Sequence, residues 1–224
     1  FYIKPDIVAP GAYINTTQSN GGYNFTSGTS FAAPHVSGAA ALLLEKYPNI
    51  HNHEIKSLLL TTTEPVSDAY GQEFSLNDSG SGRLNIAKAF QAKLIITPPN
   101  FVINLSSDNP TAQKQLELKL LEGTLENFQV RFEGPEFIQF THSLEENNLG
   151  IKIKILGQNY GEHEGKIIVN HDDIKYVIPF LIHYTEGSIS VNQKDDKLNF
   201  TIYHPEQWSF AKISVINSKD GKTE

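Results

Sequence analysis

The segment 28–38, with the sequence GTSFAAPHVSG, contains the side chain best suited to chemistry in this 224-residue chain. Ser30 lies at the predicted start of a helix, just after Gly28, whose missing side chain permits a close backbone approach. A helix N-terminus exposes unpaired N–H groups and about half a positive charge. The N–H of Ser30 is therefore suited to an oxyanion while its hydroxyl attacks a carbonyl carbon. Serine is also a favoured helix cap, so Gly-Thr-Ser alone leaves both roles open.

The nearest histidine, His35, cannot be the base that activates this serine. It follows Ser30 by five positions, so on one helix it lies ~7.5 Å further along and ~140° around the axis. General-base catalysis requires the two groups to be within about 3 Å. We therefore expect His35 to be packed and hydrogen-bonded, with a structural role.

Three helices are predicted to position this segment. The spacing of apolar residues predicts them over 31–46, roughly 53–62 and 86–91, with Asn85 as the N-cap of the last. The first helix is apolar on nearly all sides. It is therefore expected to lie in the centre of a larger core.

Residues beyond the helices alternate polar and apolar side chains, a pattern typical of strands. A linker is predicted over 92–99, where Pro98 and Pro99 favour an extended chain. The alternation predicts a two-sheet antiparallel sandwich. Its clearest strands are 101–105, 116–120, 128–132, 151–155, 166–169 and 176–182. A similar unit begins at Glu186, with a further strand predicted over 211–217 and a turn over 218–221.

Composition excludes several functional classes. The chain has 18 basic and 25 acidic residues, a net charge of −7, and no basic block, which argues against nucleic acid as a partner. No apolar run approaches the ~18 residues of a membrane span. Cysteine is absent, which excludes disulfides, thiolate metal sites and a cysteine nucleophile. Methionine is absent and the chain starts at Phe1, so we expect a processed or truncated chain.

Three motifs resemble those of one enzyme family. Segment 28–38 strongly resembles the active-site serine motif of subtilisin-like serine peptidases (subtilases), G-T-S-x-A-x-P-H-V-x-G. Upstream, 4–11 (KPDIVAPG) resembles the family's strand that leads towards the serine; downstream, 80–85 (GSGRLN) resembles the turn before its last helix. The resemblance covers residues 1–93 and implies that Ser30 is the nucleophile of a Ser-His-Asp triad. It also places Ser27 and Gly28 in the substrate cleft, with a plain turn as the alternative.

The other two members of the triad are not recognisable in this chain. In subtilases they precede the serine in the order Asp, His. The 29 residues before Ser30 contain no histidine and neither motif, and Asp6 belongs to the KPDIVAPG segment. We therefore expect the chain alone to be inactive, and a full-length parent to supply the missing groups.

The resemblance implies a division into three parts. Residues 1–93 are expected to be the C-terminal portion of a subtilisin-like α/β domain with a parallel sheet. Residues 94–185 are expected to form an immunoglobulin- or fibronectin-type-III-like β-sandwich, and residues 186–224 to start a further, incomplete β-module. The implied function is that of a secreted or cell-surface serine endopeptidase acting on protein or peptide substrates. The alternative is a non-catalytic pseudopeptidase surface protein whose sandwich modules bind or act as spacers.

Other polar residues give weaker signals. His51 and His53 lie two apart without a third ligand, so we interpret them as capping or solvated. His163 lies in a predicted glycine-bounded turn, 161–165 (GEHEG), whose glutamates are interpreted as solvated. Residues 172–173 (Asp-Asp) are predicted to form a hairpin tip. No metal site or cofactor is identified from the residues, and the resemblance leaves calcium open for the full-length parent.

Overall fold

The computed structural model describes residues 2–194, 197–204 and 206. An N-terminal helical part contains a small antiparallel ribbon and four helices: β1 (Ile14–Thr17), β2 (Tyr23–Thr26), α1 (Thr29–Lys46), α2 (Asn52–Thr61), α3 (Leu76–Ser79) and α4 (Ile86–Gln91). Ten strands follow: β3 (Leu94–Thr97), β4 (Phe101–Ser106), β5 (Thr111–Leu120), β6 (Phe128–Glu133), β7 (Ile138–Glu145), β8 (Asn148–Ile155), β9 (Gly161–His171), β10 (Ile174–Thr185), β11 (Ser188–Lys194) and β12 (Lys197–Tyr203). None of the helices within the described residues has the length and apolarity needed to cross a membrane.

The three predicted helices are present within one or two residues of their expected ends. The last, α4, agrees at both ends, and the Asn85 Oδ1 atom caps it by accepting from the Lys88 N–H at 2.9 Å. The short helix α3 was not predicted, because four residues cannot display an apolar period.

Two four-stranded sheets form the predicted sandwich. The first has the strand order β3-β5-β8-β7 and the second β4-β10-β9-β6. The rings of Phe132 on β6 and Phe140 on β7 stack across the core at 5.4 Å. The expectation of purely antiparallel pairing is wrong at one place, because β4 and β10 run parallel. The chain reaches β4 by crossing from the first sheet rather than through a hairpin, so no tight turn imposes an antiparallel partner.

The predicted linker over 92–99 is also wrong in part. Residues 94–97 form β3, which pairs with β5 at the edge of the first sheet. Leu94, Ile95 and Ile96 are 0%, 1% and 0% exposed. Consecutive strand residues point to opposite faces, so β3 is covered on both sides. The sandwich core covers one face and α2 packs near the other, where the hydroxyl groups of Ser57 and Thr97 lie 3.2 Å apart.

Two further corrections concern strand boundaries. The strand β7 was not predicted. The strand β9 begins at Gly161, so segment 161–165 belongs to a paired strand and is not a turn. His163 there pairs with Ile182 of β10. The hairpin tip at Asp172 and Asp173 is confirmed, since these two residues alone join β9 to β10 and Asp172 has a φ of 51°.

Residues 2–93 contain little sheet. Apart from the ribbon β1–β2, their contacts of strand type are isolated bridges, and the parallel one joins Val8 to Arg83. The described residues 2–93 therefore do not form the parallel sheet that the resemblance implies, since they supply too few strands for it. At the other end, β11 and β12 make a separate two-stranded sheet. The strand and turn predicted over 211–217 and 218–221 lie outside the described residues.

One apolar core spans the helical part and the sandwich. It runs without interruption from α1 and α2 through β3 into the space between the two sheets. A smaller cluster joins Ile3 and Leu76 to Leu181 of β10. The helical part and the sandwich are therefore packed against each other rather than joined only by a tether.

Candidate active site

Ser30 lies in the first turn of the 18-residue helix α1, as predicted. The chain enters through Gly28, whose backbone is extended and whose carbonyl accepts from the Phe31 N–H at 3.0 Å. Ser30 is exposed, and no side chain among the described residues hydrogen-bonds to its hydroxyl. Its N–H belongs to the first turn, where amides have no partner within the helix. The local geometry is open to an incoming carbonyl group, and the nucleophilic role of Ser30 stays a prediction.

The KPDIVAPG segment packs against the turn that precedes Ser30. The Gly28 N–H donates to the Gly11 carbonyl at 2.7 Å, and the Tyr13 N–H donates to the Ser27 hydroxyl at 2.9 Å. A Cβ atom on Gly11 would lie 2.9 Å from the Gly28 carbonyl oxygen and 3.2 Å from the Ala32 Cβ. Glycine at position 11 therefore allows the contact that fixes the turn.

The GSGRLN segment packs in turn against KPDIVAPG. The Val8 N–H donates to the Gly82 carbonyl at 3.0 Å, and the Leu84 N–H donates to the Val8 carbonyl at 2.8 Å. Gly80 has a φ of 59°, and a side chain there would overlap the backbone oxygen of Pro5. The three motifs are thus brought together by backbone hydrogen bonds that end at Gly28, two residues before Ser30.

The histidine predictions near this site are confirmed where contacts test them. His35 is half-buried, and its Nδ1 lies 2.8 Å from the Phe31 carbonyl oxygen, so it is packed and hydrogen-bonded. His51 occupies the N-cap position of α2, where its N–H donates to Glu54 Oε2 at 2.9 Å. The ring of His53 stacks on that of His51 at 5.6 Å. None of these contacts involves Ser30.

Asp6 is engaged away from Ser30. Its carboxylate accepts from Lys4 at 2.6 Å and Lys56 at 3.1 Å. Partial burial acts to raise the pKa of Asp6, but the hydrogen bonds from these two lysines lower it below its ordinary value. The carboxylate is therefore held charged by its own partners, in keeping with its exclusion from the triad.

A metal site is not found within the described residues. No group of three or more histidine, aspartate or glutamate side chains there is arranged to hold an ion. Calcium accordingly has no assigned ligands among the described residues.

The described residues cover only part of the helix α1. Leu43 is 1% exposed, but its neighbours Leu42 and Leu44 are 43% and 42% exposed, and Ala33 and Ala41 are also exposed. The described residues supply too few elements to surround the helix, so its place in the centre of a larger core stays a prediction. The result is an apolar outer face on the helix that carries Ser30.

Comparison with known proteins agrees with the motifs. The profile of the subtilase family matches residues 1–89. The minor extracellular protease Vpr of Bacillus subtilis is 32% identical over 105 residues, which cover 44% of this chain and 13% of that protein. The subtilisin-like protease SBT1.6 of Arabidopsis thaliana is 34% identical, over 47% of this chain and 17% of its own length. Subtilisin DY of Bacillus licheniformis is 34% identical, over 38% and 29% respectively.

The matched segment therefore spans less than a third of the length of each of these relatives. It includes all three motifs, from KPDIVAPG through the Ser30 segment to GSGRLN, in the observed order. Residues 1–89 of this chain are therefore similar to the subtilase family.

Proposed function

We propose that this chain is part of a subtilisin-like serine endopeptidase in which Ser30 is the nucleophile. The observation that carries the proposal is the exposed Ser30 at the N-terminus of α1, inside the segment that matches the family. Together with this function, we propose a division of the chain into three parts. Residues 1–93 contribute to a parallel-sheet α/β domain, residues 94–185 form a fibronectin-type-III-like sandwich, and residues 186–224 begin a further module.

The proposed reaction is hydrolysis of a peptide bond through an acyl-enzyme. The Ser30 oxygen attacks the carbonyl carbon while a histidine takes the hydroxyl proton, and that proton is then given to the leaving amine. Water next attacks the ester, its proton passes to the histidine, and the acid product leaves as Ser30 regains its proton. The Ser30 N–H is suited to donate to the oxyanion in both steps because it lies at a positive helix end.

The base and its orienting aspartate are proposed to come from residues outside this sequence. A serine hydroxyl is a weak nucleophile without an adjacent base. Among the described residues, no histidine contacts the Ser30 hydroxyl, and His35 is bonded to Phe31. The exposed apolar face of α1 supports the same proposal, since a larger domain would cover Leu42 and Leu44.

Similarity to the family also suggests a class of substrate and a location for the protein. We propose a protein or peptide substrate, with Ser27 and Gly28 lining its cleft; both are exposed and adjoin Ser30. One relative is named an extracellular protease, which supports a secreted or cell-surface location here.

The proposal is tested by labelling with a fluorophosphonate probe, which reacts with an activated serine. The 224-residue chain alone should not be labelled, because it lacks a base. The protein extended by its preceding coding sequence should be labelled and should cleave peptides. Ser30→Ala should abolish both, whereas Ser37→Ala should change neither, since Ser37 lies on the same helix and bonds its own backbone at Ala33.

Two results would contradict this proposal. Rapid stoichiometric labelling of the isolated chain would show that the base lies within it. Failure of the extended protein to be labelled at Ser30 would instead favour a non-catalytic pseudopeptidase, whose sandwich modules bind other molecules or act as spacers.

A further inference from the structure

We infer that the β-sandwich is an integral part of the folding unit that carries Ser30, and that its role is to stabilise the helical part. The inference concerns residues 2–185 alone and does not depend on whether Ser30 is catalytic. It assigns an interaction surface to the sandwich, called here the docking surface: Ile95, Thr97, Lys119, Ile168 and Leu181. Its partner is the helical part of the same chain.

Burial distinguishes the docking surface from the rest of the sandwich. Along β8, Ile151, Ile153 and Ile155 are buried, while the alternate residues Lys152 and Lys154 are exposed, as expected for a sheet with one face in water. On β3 and β9 the alternation is lost, because outward residues are buried as well. Ile95 and Ile168 face away from the sandwich core and are 1% and 0% exposed.

An ion pair crosses the first part of this surface. Glu54, in the first turn of α2, is 5% exposed and accepts from the Lys119 Nζ of β5 at 2.5 Å. Lys119 pairs in register with Ile95, so both project towards α2. Without Lys119, a buried carboxylate would lose its only cationic partner among the described residues.

The junction between the two parts is fixed from inside the sandwich. The hydroxyl of Tyr176, a fully buried residue of β10, accepts from the N–H groups of Lys93 at 2.9 Å and Leu94 at 3.1 Å. These amides lie just after α4, where the helical part meets β3. The chain therefore enters the sandwich at a defined point.

A second contact involves the other sheet. Leu181 of β10 packs with Ile3, which directly precedes KPDIVAPG, and with Leu76 of α3. The Glu164 carboxylate of β9 accepts from the Leu76 N–H, with both oxygens at 3.0 Å. Lys166 of the same strand pairs with Glu73. The sandwich thus contacts the helical part at two places, one near α2 and one near the KPDIVAPG segment.

These contacts predict that the two parts unfold together. Separation would expose apolar side chains of β3, β9, β10 and α2 and would break the ion pair between Glu54 and Lys119. Regions that share such a core open as one cooperative unit in hydrogen exchange. A sandwich that served only as a spacer would open independently.

The test destabilises the sandwich at a distance and measures exchange in the helices. Ile153 lies in β8, two strands from β3, and is 1% exposed in the sandwich core. In the 224-residue chain, Ile153→Ala should accelerate exchange of the slowest β9 amides, at 167–169, by about 30-fold or more. The slowest α2 amides, at 58–60, should accelerate by the same factor. If Ile153→Ala does not fold, Ile153→Val should accelerate both sets by an equal factor of about 2–10.

Unchanged exchange in α2 alongside accelerated exchange in β9 would overturn the inference. The control is Leu44→Ala on the exposed face of α1, which should accelerate neither set.

A matched pair of lysines tests the docking surface itself. Lys119→Met should accelerate α2 exchange by about fivefold or more, because Glu54 stays buried without its partner. Lys152→Met, on a neighbouring strand, should leave α2 unchanged, since Lys152 makes no ion pair with any described residue. Equal effects of the two substitutions would contradict the assigned surface.

Discussion

At the scale of single residues, Ser30 depends on close backbone contacts that only glycine permits. Gly11 lies against the Gly28 carbonyl, and Gly80 lies against the backbone at Pro5. Neither residue carries chemistry, yet together they determine where α1 begins relative to the neighbouring segments. The position of the serine is therefore specified largely by residues without side chains.

Gly11→Ala should destabilise the chain by about 1–3 kcal/mol, because its Cβ would press on the Gly28 carbonyl and on Ala32. The measurement is the free energy of unfolding in urea. Gly38→Ala is the matched control. A Cβ at this exposed helical position meets nothing within 4 Å, so the change should stabilise by about 0.5–1 kcal/mol. Destabilisation by Gly38→Ala, or none by Gly11→Ala, would contradict the packing described.

At the scale of elements, α2 has an N-terminus completed by another part of the chain. Glu54 accepts from the His51 N–H within the helix and from Lys119 across the docking surface. Burial acts to raise the pKa of Glu54, but the hydrogen bonds from Lys119 and His51 lower it below its ordinary value of 4.5. The charged form is therefore favoured in the folded state.

This lowered pKa predicts how the Lys119 contribution depends on pH. A carboxylate whose pKa is depressed by folding adds stability above its unfolded pKa, 4.5, and loses it as pH falls through the folded value. Wild type should therefore exceed Lys119→Met in unfolding free energy by about 1–3 kcal/mol at pH 7. The difference should shrink steadily below pH 4.5. A difference independent of pH between 7 and 3 would show that packing of the lysine stem, not its charge, is responsible.

Elements with a regular local signal could be predicted from sequence, and those defined by distant contacts could not. The helix α4 has an Asn cap and an apolar period, so its ends were predictable. The sequence around β3 predicts a linker, because prolines follow it and three adjacent apolar residues do not alternate. That run is itself the sign of two-sided burial. At the site, the position of Ser30 at the start of a helix was predictable from the sequence, whereas the Gly11 contact joins segments separated along the chain.

At the scale of the whole molecule, the described residues combine a well-packed region with an apolar face on α1 that they leave open. The packed region extends from α1 through α2 into the sandwich. The open face lies on the outer side of α1, with Leu42 and Leu44. The same helix thus takes part in the core on one side and in any further contact on the other.

Substitutions of three consecutive leucines of α1 should have opposite effects on the stability of the isolated chain. Leu42→Gln and Leu44→Gln should reduce self-association in light scattering and change the unfolding free energy by less than about 0.5 kcal/mol, because both side chains are exposed. Leu43→Gln should cost about 2–5 kcal/mol, since it removes a buried apolar side chain. Similar losses at all three positions would mean that the outer face of α1 is covered in solution.

The docking surface also has a consequence for synthesis on the ribosome. Leu59 of α2 is made before Ile182 of β10, which lies in the same core and follows roughly 120 residues later. At about 5–20 residues per second, α2 waits on the order of 6–25 s for its complete partner surface. Ribosome-bound chains stalled near residue 150 should therefore be cut by protease within α2, and chains stalled after β10 has emerged should resist. During that interval, the nascent helices α1 and α2 depend on factors outside the exit tunnel that shield exposed apolar segments.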